Sequence, residues 1–399
     1  MATKPTAIAK PATAKQPRAS APKSPLRNLV ILLDGTGNEL GRKLSNVLKL
    51  YRIAEKGEKQ LVFYNPGVGT IGRINPWRRL RQKASGVLGL ATGYGLDENV
   101  LSAYKFLVQN WREGDYIYLF GFSRGAWTAR VLAGFIHLVG LLRPEQLNMC
   151  DSALGTYKRA ADGEDLPFAW HFSRVISVRY PKIRFIGAWD SVGSVLVPRR
   201  DRFWIPSRET LPYTETNPSV EIFRHALALD ERRRMFRIAR WNEPQDYVRN
   251  RFQSDKKGPQ DIEQRWFAGV HSDIGGGYPE SESGLSKFPL IWMVDEAVKA
   301  GLRITESNFR HLAWGEAHAD GEHEYVAPSS AAPSHQSLKG GWWPLEVLPK
   351  SAKERETRNR SFLGLYLPFG ELRKVEPYNI DPSIQQRIAA NIGYKPANL

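Results

Sequence analysis

Four short apolar runs, rich in β-branched and aromatic residues, each stop at an abrupt polar turn. Leu29 to Leu33 ends at Asp34-Gly35-Thr36-Gly37, and Tyr116 to Phe122 at Ser123-Arg124-Gly125. Ile183 to Trp189 ends at Asp190-Ser191, and Arg265 to Val270 at His271-Ser272-Asp273. Runs this short and apolar throughout suit strands buried on both faces, as in a parallel sheet covered by helices. Ligands of open α/β sheets bind beyond the carboxyl ends of the strands, so four polar endings predict one shared crevice. With 399 residues, 42% of them hydrophobic, the chain can bury a core of that size.

Other segments fill in this scheme. Leu61 to Tyr64 suits a further strand, and Glu98 to Trp111 has helical spacing with Asp97 as its N-cap. Helices are also expected over Ala126 to Leu142, Ser219 to Arg233 and Leu290 to Ala300, and a loop over the Ser-, Pro- and Gly-rich Tyr325 to Gly341. Two regions read as insertions that wall the crevice: Ile71 to Lys83, with Trp77 among Arg73, Arg78, Arg79 and Arg81, and Val197 to Pro218. Residues 1–28 carry Lys4, Lys10, Lys15, Arg18, Lys23 and Arg27 without an acid, and read as a disordered basic tail before a single catalytic domain over residues 29–399. The tail lacks the apolar core of a secretory signal, and no apolar run reaches the length of a membrane-spanning helix. The lone Cys150 excludes an internal disulfide and Cys-rich zinc sites.

Gly121-Phe122-Ser123-Arg124-Gly125 matches G-x-S-x-G, and its setting between a strand and a helix is that of a nucleophile elbow. Gly121 and Gly125 suit the elbow because a strained serine backbone presses its neighbours against adjoining strands; the competing reading is a plain turn whose serine caps the helix. A serine hydroxyl needs a base, and the base a group that fixes its tautomer. α/β-Hydrolases place these in the chain order serine, acid, histidine. Asp190 follows Ser123 by 67 residues and His271 follows Asp190 by 81, both directly after expected strands. The candidate triad is therefore Ser123, Asp190 and His271, on an α/β-hydrolase-like fold: a mainly parallel sheet flanked by helices, with lid-like insertions. His335, in a late loop, competes with His271, and Asp273 competes with Asp190 or organises the turn into Gly275-Gly276-Gly277. His137 and His225, both expected on helices, suit structural roles, whereas His171, His311, His318 and His323 lack a strand-end setting. Backbone N–H groups of Arg124, Gly35 and Thr36 are the candidate oxyanion donors, with Asp34 supporting their loop.

Three further motifs lead elsewhere. Gly67-Val68-Gly69-Thr70-Ile71-Gly72 fits G-x-G-x-x-G, but Pro76 prevents the helix a dinucleotide site requires. Leu32-Leu33-Asp34-Gly35-Thr36 has the opening of an aspartyl-phosphate phosphatase, with Thr36 where a second Asp belongs. The run Arg232-Arg233-Arg234, with Arg237 and Arg240, reads as a solvated face rather than a nucleic-acid site.

Together, Leu33-Asp34-Gly35-Thr36-Gly37-Asn38, Tyr64 to Thr70, Gly114 to Ala126, Ala188 to Gly193, His225 to Glu231 and Gly269 to Tyr278 resemble a family known as domain of unknown function 2235. That family contains the α/β-hydrolase-like catalytic domain of the family-one phospholipase effectors of bacterial type VI secretion. The resemblance covers about Leu29 to Leu348 and implies a serine hydrolase acting on phospholipid esters, with Ser123 as nucleophile. The large effectors carry an additional C-terminal membrane-associating part, whereas this sequence stops soon after the catalytic region. The expectation is an esterase or lipase working through an acyl-enzyme, with no metal or other cofactor and no nucleic-acid partner. The net charge of +16 and the basic insertion favour an anionic membrane surface as its place of work. The expected location is the cytoplasm of the producing cell, or export by a machine that reads no signal peptide. Alternatives are a noncatalytic binding protein on the same fold and a phosphatase using Asp34.

Overall fold

Six strands form one parallel sheet: β1 (Asn28–Leu33), β2 (Gln60–Asn65), β3 (Tyr116–Phe122), β4 (Ile183–Trp189), β5 (Val220–Ala228) and β6 (Asp261–Phe267), in the spatial order β6-β5-β4-β3-β1-β2. The computed structural model describes residues 26–35, 43–67, 95–160, 166–176, 178–193, 196–198, 206–208, 211–248, 257–317, 324–351, 362, 364–375, 379–390 and 393–399.

Side-chain alternation along each strand divides the core into two layers. Leu29, Ile31 and Leu33 of β1, Ile117 and Leu119 of β3, and Ile186 and Ala188 of β4 face one layer. It is closed by α2 (Leu96–Asn110), α3 (Arg124–Val139), α4 (Cys150–Arg159) and α5 (Leu166–Ile176). Val30, Leu32, Tyr118, Phe120, Phe122, Phe185 and Trp189 face the other, covered by α1 (Asn46–Ile53), α7 (Lys287–Lys299) and α8 (Glu306–Trp314). A smaller cluster joins Leu227, Leu229, Ile238 and Trp266 to Ile384 of α9 (Pro382–Ala389). Burial on both faces explains why the strands read as near-continuous apolar runs. The helix α3, which leads away from Ser123, is buried along nearly its whole length, so the turn that carries Ser123 is held from behind.

The expected strands at β3 and β4 have the observed bounds, and the others differ by a few residues at their ends. One segment changes type: Ser219 to Arg233, expected as a helix, contains β5, which is hydrogen-bonded to β4 on one side and β6 on the other. Its sequence Val-Glu-Ile-Phe-Arg-His-Ala-Leu-Ala lacks a clean alternation and is buried on both faces over its second half, a pattern whose periodicity alone does not separate a buried strand from a buried helix. The N-cap of α2 is Gly95 with φ of 86°, and Asp97 falls in the first turn, where its charge complements the helix dipole. The insertion Ile71 to Lys83 lies outside the described residues, as do residues 1–25 of the tail. Of the second insertion, Leu196–Pro198 pairs antiparallel with Pro206–Arg208. Among the described residues no helix is long and apolar enough to cross a membrane.

Candidate active site

Ser123 follows β3 with φ of 58° and ψ of −121°, a backbone conformation costly for a residue with a Cβ and tolerated where the surroundings impose it. The surroundings here are two glycines. A Cβ on Gly121 would lie 2.4 Å from the backbone of Gly125 and Ala126, and one on Gly125 only 2.0 Å from the carbonyl oxygen of Leu33. The turn thus brings α3 against the end of β1 and leaves the serine at the carboxyl edge of the sheet, 9% exposed.

Asp190 directly follows β4, also with positive φ, 39°, and is fully buried. His271 opens α6 (His271–Gly275), a single turn shortly after β6. These three residues, distant in sequence, meet in a hydrogen-bonded series. His271 Nδ1 lies 2.5 Å from Asp190 Oδ2 and His271 Nε2 lies 2.8 Å from Ser123 Oγ. An ionised carboxylate only accepts, so Nδ1 carries the imidazole proton and Nε2 is left to accept from the serine hydroxyl. The rings of Phe122, at 4.7 Å, and Phe236, edge-on at 4.8 Å, pack against the imidazole. Burial pushes its pKa below the ordinary value, against the opposing pull of Asp190.

Burial alone would raise the pKa of Asp190, but Arg373 and His271 reverse that and hold it well below the usual carboxylate range. Arg373 grips the carboxylate with both ends of its guanidinium, Nη1 donating to Oδ1 at 2.7 Å and Nη2 to Oδ2 at 3.1 Å. The backbone N–H of Ala228 adds a third donor to Oδ1 at 3.0 Å. Glu231 is buried as well and accepts the backbone N–H of His271 at 3.2 Å, together with those of Arg232 and Arg233. Its burial is outweighed by the Arg233 guanidinium, which pulls its pKa down to about 2. Glu231, Arg233, Phe236, Arg237, Leu372 and Arg373 line a pocket that shares Glu231, Phe236 and Arg373 with the surroundings of His271 and Asp190.

The remaining sequence candidates fall into place around this series. His335 does not approach Ser123. Its Nδ1 lies 2.7 Å from Asp273 Oδ1 and its Nε2 2.9 Å from Glu282 Oε2, and the ring stacks on Tyr278 at 3.5 Å. Asp273 accepts the Val270 N–H at 3.0 Å, which fixes the turn that opens α6. Asp34 accepts from the Ser45 hydroxyl, the Tyr64 hydroxyl at 2.9 Å and the Gly35 N–H at 2.7 Å, holding its loop beside the elbow. Gly35 therefore directs its N–H to Asp34, while Thr36 lies outside the described residues. Arg124 supplies the first N–H after the serine. His225 lies on β5, not a helix, with Nε2 accepting the Ser191 N–H at 3.0 Å; burial holds its pKa down to about 3. His137 Nδ1 lies 2.5 Å from Ser219 Oγ, remote from the serine in a structural contact. Among the described residues no group of three His, Cys, Asp or Glu side chains is placed to hold a metal.

Sequence reading missed Arg373 and Glu231 as parts of the site. Glu231 lies within the quoted stretch His225 to Glu231, which was a usable signal. Arg373, in irregular chain far along the sequence, carried none.

A parallel α/β sheet with serine, histidine and aspartate joined at its carboxyl edge, in the order serine, aspartate, histidine along the chain, defines an α/β-hydrolase-like protein. The chain belongs to the family described as the catalytic domain of Tle1-like type VI secretion phospholipase effectors, whose model matches residues 27–296. It is 37% identical over 226 residues to the uncharacterised protein YEL023C of Saccharomyces cerevisiae, a match spanning 53% of this chain and 32% of that protein. Two solved structures are also similar. One is an uncharacterised protein from Pseudomonas aeruginosa, at 17% identity and a TM-score of 0.37, over 70% of this chain and 46% of that one. The other is the Tle1 effector bound to the VgrG spike of the type VI secretion system, at 19% identity and a TM-score of 0.37, over 69% of this chain and 57% of that one. The chain thus spans about a third of the yeast relative and about half of each solved chain.

Proposed function

We propose that the protein is a serine hydrolase that cleaves carboxylic esters of phospholipids through an acyl-enzyme, with Ser123, His271 and Asp190 as its triad. The observation that carries this reading is the continuous series from Ser123 Oγ through the His271 ring to Asp190, with the serine on a strained elbow. The family's phospholipase description supports the lipid ester as substrate.

In the first step the Ser123 hydroxyl passes its proton to His271 Nε2 as Oγ bonds to the ester carbonyl carbon. Asp190 holds the Nδ1 proton and stabilises the imidazolium that forms. The Arg124 N–H, next to the nucleophile, is the donor for the developing oxyanion. Collapse of the tetrahedral intermediate expels the alcohol, which takes the proton from Nε2, and leaves the acyl group on Oγ. Water then gives a proton to Nε2 as it attacks the acyl carbon, and collapse breaks the bond to Oγ, which takes that proton back as the acid departs.

Residues 29–399 form the catalytic domain in this reading, with the basic tail and an anionic bilayer as electrostatic partners. The family's link to type VI secretion supports export by that route. A fluorophosphonate probe should label the wild type and spare Ser123→Ala, and phospholipid vesicles should release fatty acid with the wild type alone. A folded wild type that neither labels nor turns over ester would leave a binding protein on the same fold as the better account.

A further inference from the structure

A two-pronged contact on Asp190 comes from beyond the segment that the family model matches: Arg373 lies well past residues 27–296. Its guanidinium is 5% exposed, meets the carboxylate through two parallel hydrogen bonds, and also donates to the carbonyl oxygens of Ala228, at 2.9 Å, and Phe236. The Asn398 side chain in turn donates to the Arg373 carbonyl oxygen at 3.1 Å. Neighbouring late residues engage the same corner. The Ser337 hydroxyl donates to Glu231 Oε1 at 2.8 Å, Trp342 meets the Phe236 ring edge-on at 5.3 Å, and Arg232 Nε donates to the Gly370 carbonyl oxygen at 2.8 Å. The late chain is thus built into the site.

We propose that Arg373 is a positioning residue of the triad, fixing the Asp190 carboxylate in the plane His271 needs and offsetting its negative charge. This inference rests on the acyl-transfer reading above. A planar fork on a carboxylate sets direction as well as charge, which an ammonium does not do. Its electrostatic part follows from the balance around the imidazole. From the β4 end comes Asp190, from the loop after β5 come Glu231 and Arg233, from α6 Asp273, and from β5 the buried His225 beyond Asp190. Glu231 and Arg233 pair with one another at 2.9 Å, so Asp190 is the charge the imidazole feels most directly, and Arg373 is its counter-charge. Without that counter-charge the Asp190–His271 pair holds its proton more strongly, whichever atom carries it, and the base stays protonated up to a higher pH.

The test is the rate of fluorophosphonate labelling against pH for wild type, Arg373→Gln and Arg373→Lys, with thermal unfolding of each. The wild-type rate should rise through one ionisation. In Arg373→Gln its midpoint should move up by about one pH unit or more. Arg373→Lys, which keeps the charge and loses the fork, should hold the wild-type midpoint and lose roughly tenfold in rate at every pH. A purely structural arginine would lower the melting temperature without moving the midpoint. An unmoved midpoint in folded Arg373→Gln overturns the proposal, and so does a wild-type rate in Arg373→Lys, which decides the matter if the glutamine variant does not fold. A wild type that fails to label defeats the acyl-transfer reading instead, so the two failures are distinguishable.

Discussion

Gly125→Ala sets two physical effects of opposite sign against each other. Gly125 is the second residue of α3 and its φ is not in the left-handed region, so helix propensity alone predicts that alanine stabilises the protein by about 1 kcal/mol. The packing predicts the reverse. The added Cβ would stand 2.0 Å from the Leu33 carbonyl oxygen, 2.6 Å from its carbon and 2.7 Å from the Asp34 carbonyl oxygen. All three are backbone atoms of β1 and the loop behind it, so no side-chain rotation relieves the contact. Since real Cβ contacts essentially never fall below 3.0 Å, the start of α3 and the end of β1 must part by about 1 Å. Overpacking of this kind costs about 1–3 kcal/mol, which outweighs the propensity gain. Ser123 is two residues away and moves with the turn, and a displacement near 1 Å at a reacting atom costs about a hundredfold in rate. The assay pairs thermal unfolding with the rate of fluorophosphonate labelling, and a lower melting temperature with labelling slowed by about two orders of magnitude is expected. An alanine variant that melts at or above the wild type and labels at its rate would refute the argument that Gly125 is required by close backbone approach.

Two further substitutions test the histidines outside the triad. His225→Phe should destabilise by about 2 kcal/mol at pH 8, because the buried Ser191 N–H loses its acceptor. Since the folded state holds His225 near 3, acidification through about pH 6.5 protonates only the unfolded wild type; the deficit of the variant should therefore narrow as pH falls, by up to about 1.4 kcal/mol per pH unit, in urea unfolding. His335→Gln should behave oppositely. Hydrogen bonds to Asp273, and then to Glu282, raise the His335 pKa despite partial burial, so its contribution is full below about pH 6.5 and fades as pH rises through the raised value. Equal destabilisation by His335→Gln at pH 6 and pH 9 would contradict that assignment.

Strand ends were the legible part of this sequence. A buried parallel strand announces itself by an apolar run, and the polar residue that stops it lies by construction at the ligand-binding edge; Ser123, Asp190 and His271 were all found that way. Residue order then chose among the histidines, and the structure brings those three together while placing His335 with Asp273 and Glu282. The misreading of β5 has the same origin in reverse, since a run buried on both faces loses the alternation that marks a strand. What supports the triad was not legible. Arg373 reaches Asp190 across 183 residues from a segment with no regular structure, and no local pattern encodes a contact set by the path of the chain.

The grip of Phe122 and Phe236 on the imidazole limits how the proposed reaction runs. A ring packed against two others and tied through Nδ1 to a fully buried carboxylate does not swing out to meet a departing group, so acceptance and return of the proton occur from one pose. Movement then falls to the ester: its alkoxy oxygen must come round to the nitrogen that first received the proton. Esters whose alcohol portion is too rigid or too wide to make that turn should add to Ser123 reversibly and collapse back, forming no acyl-enzyme.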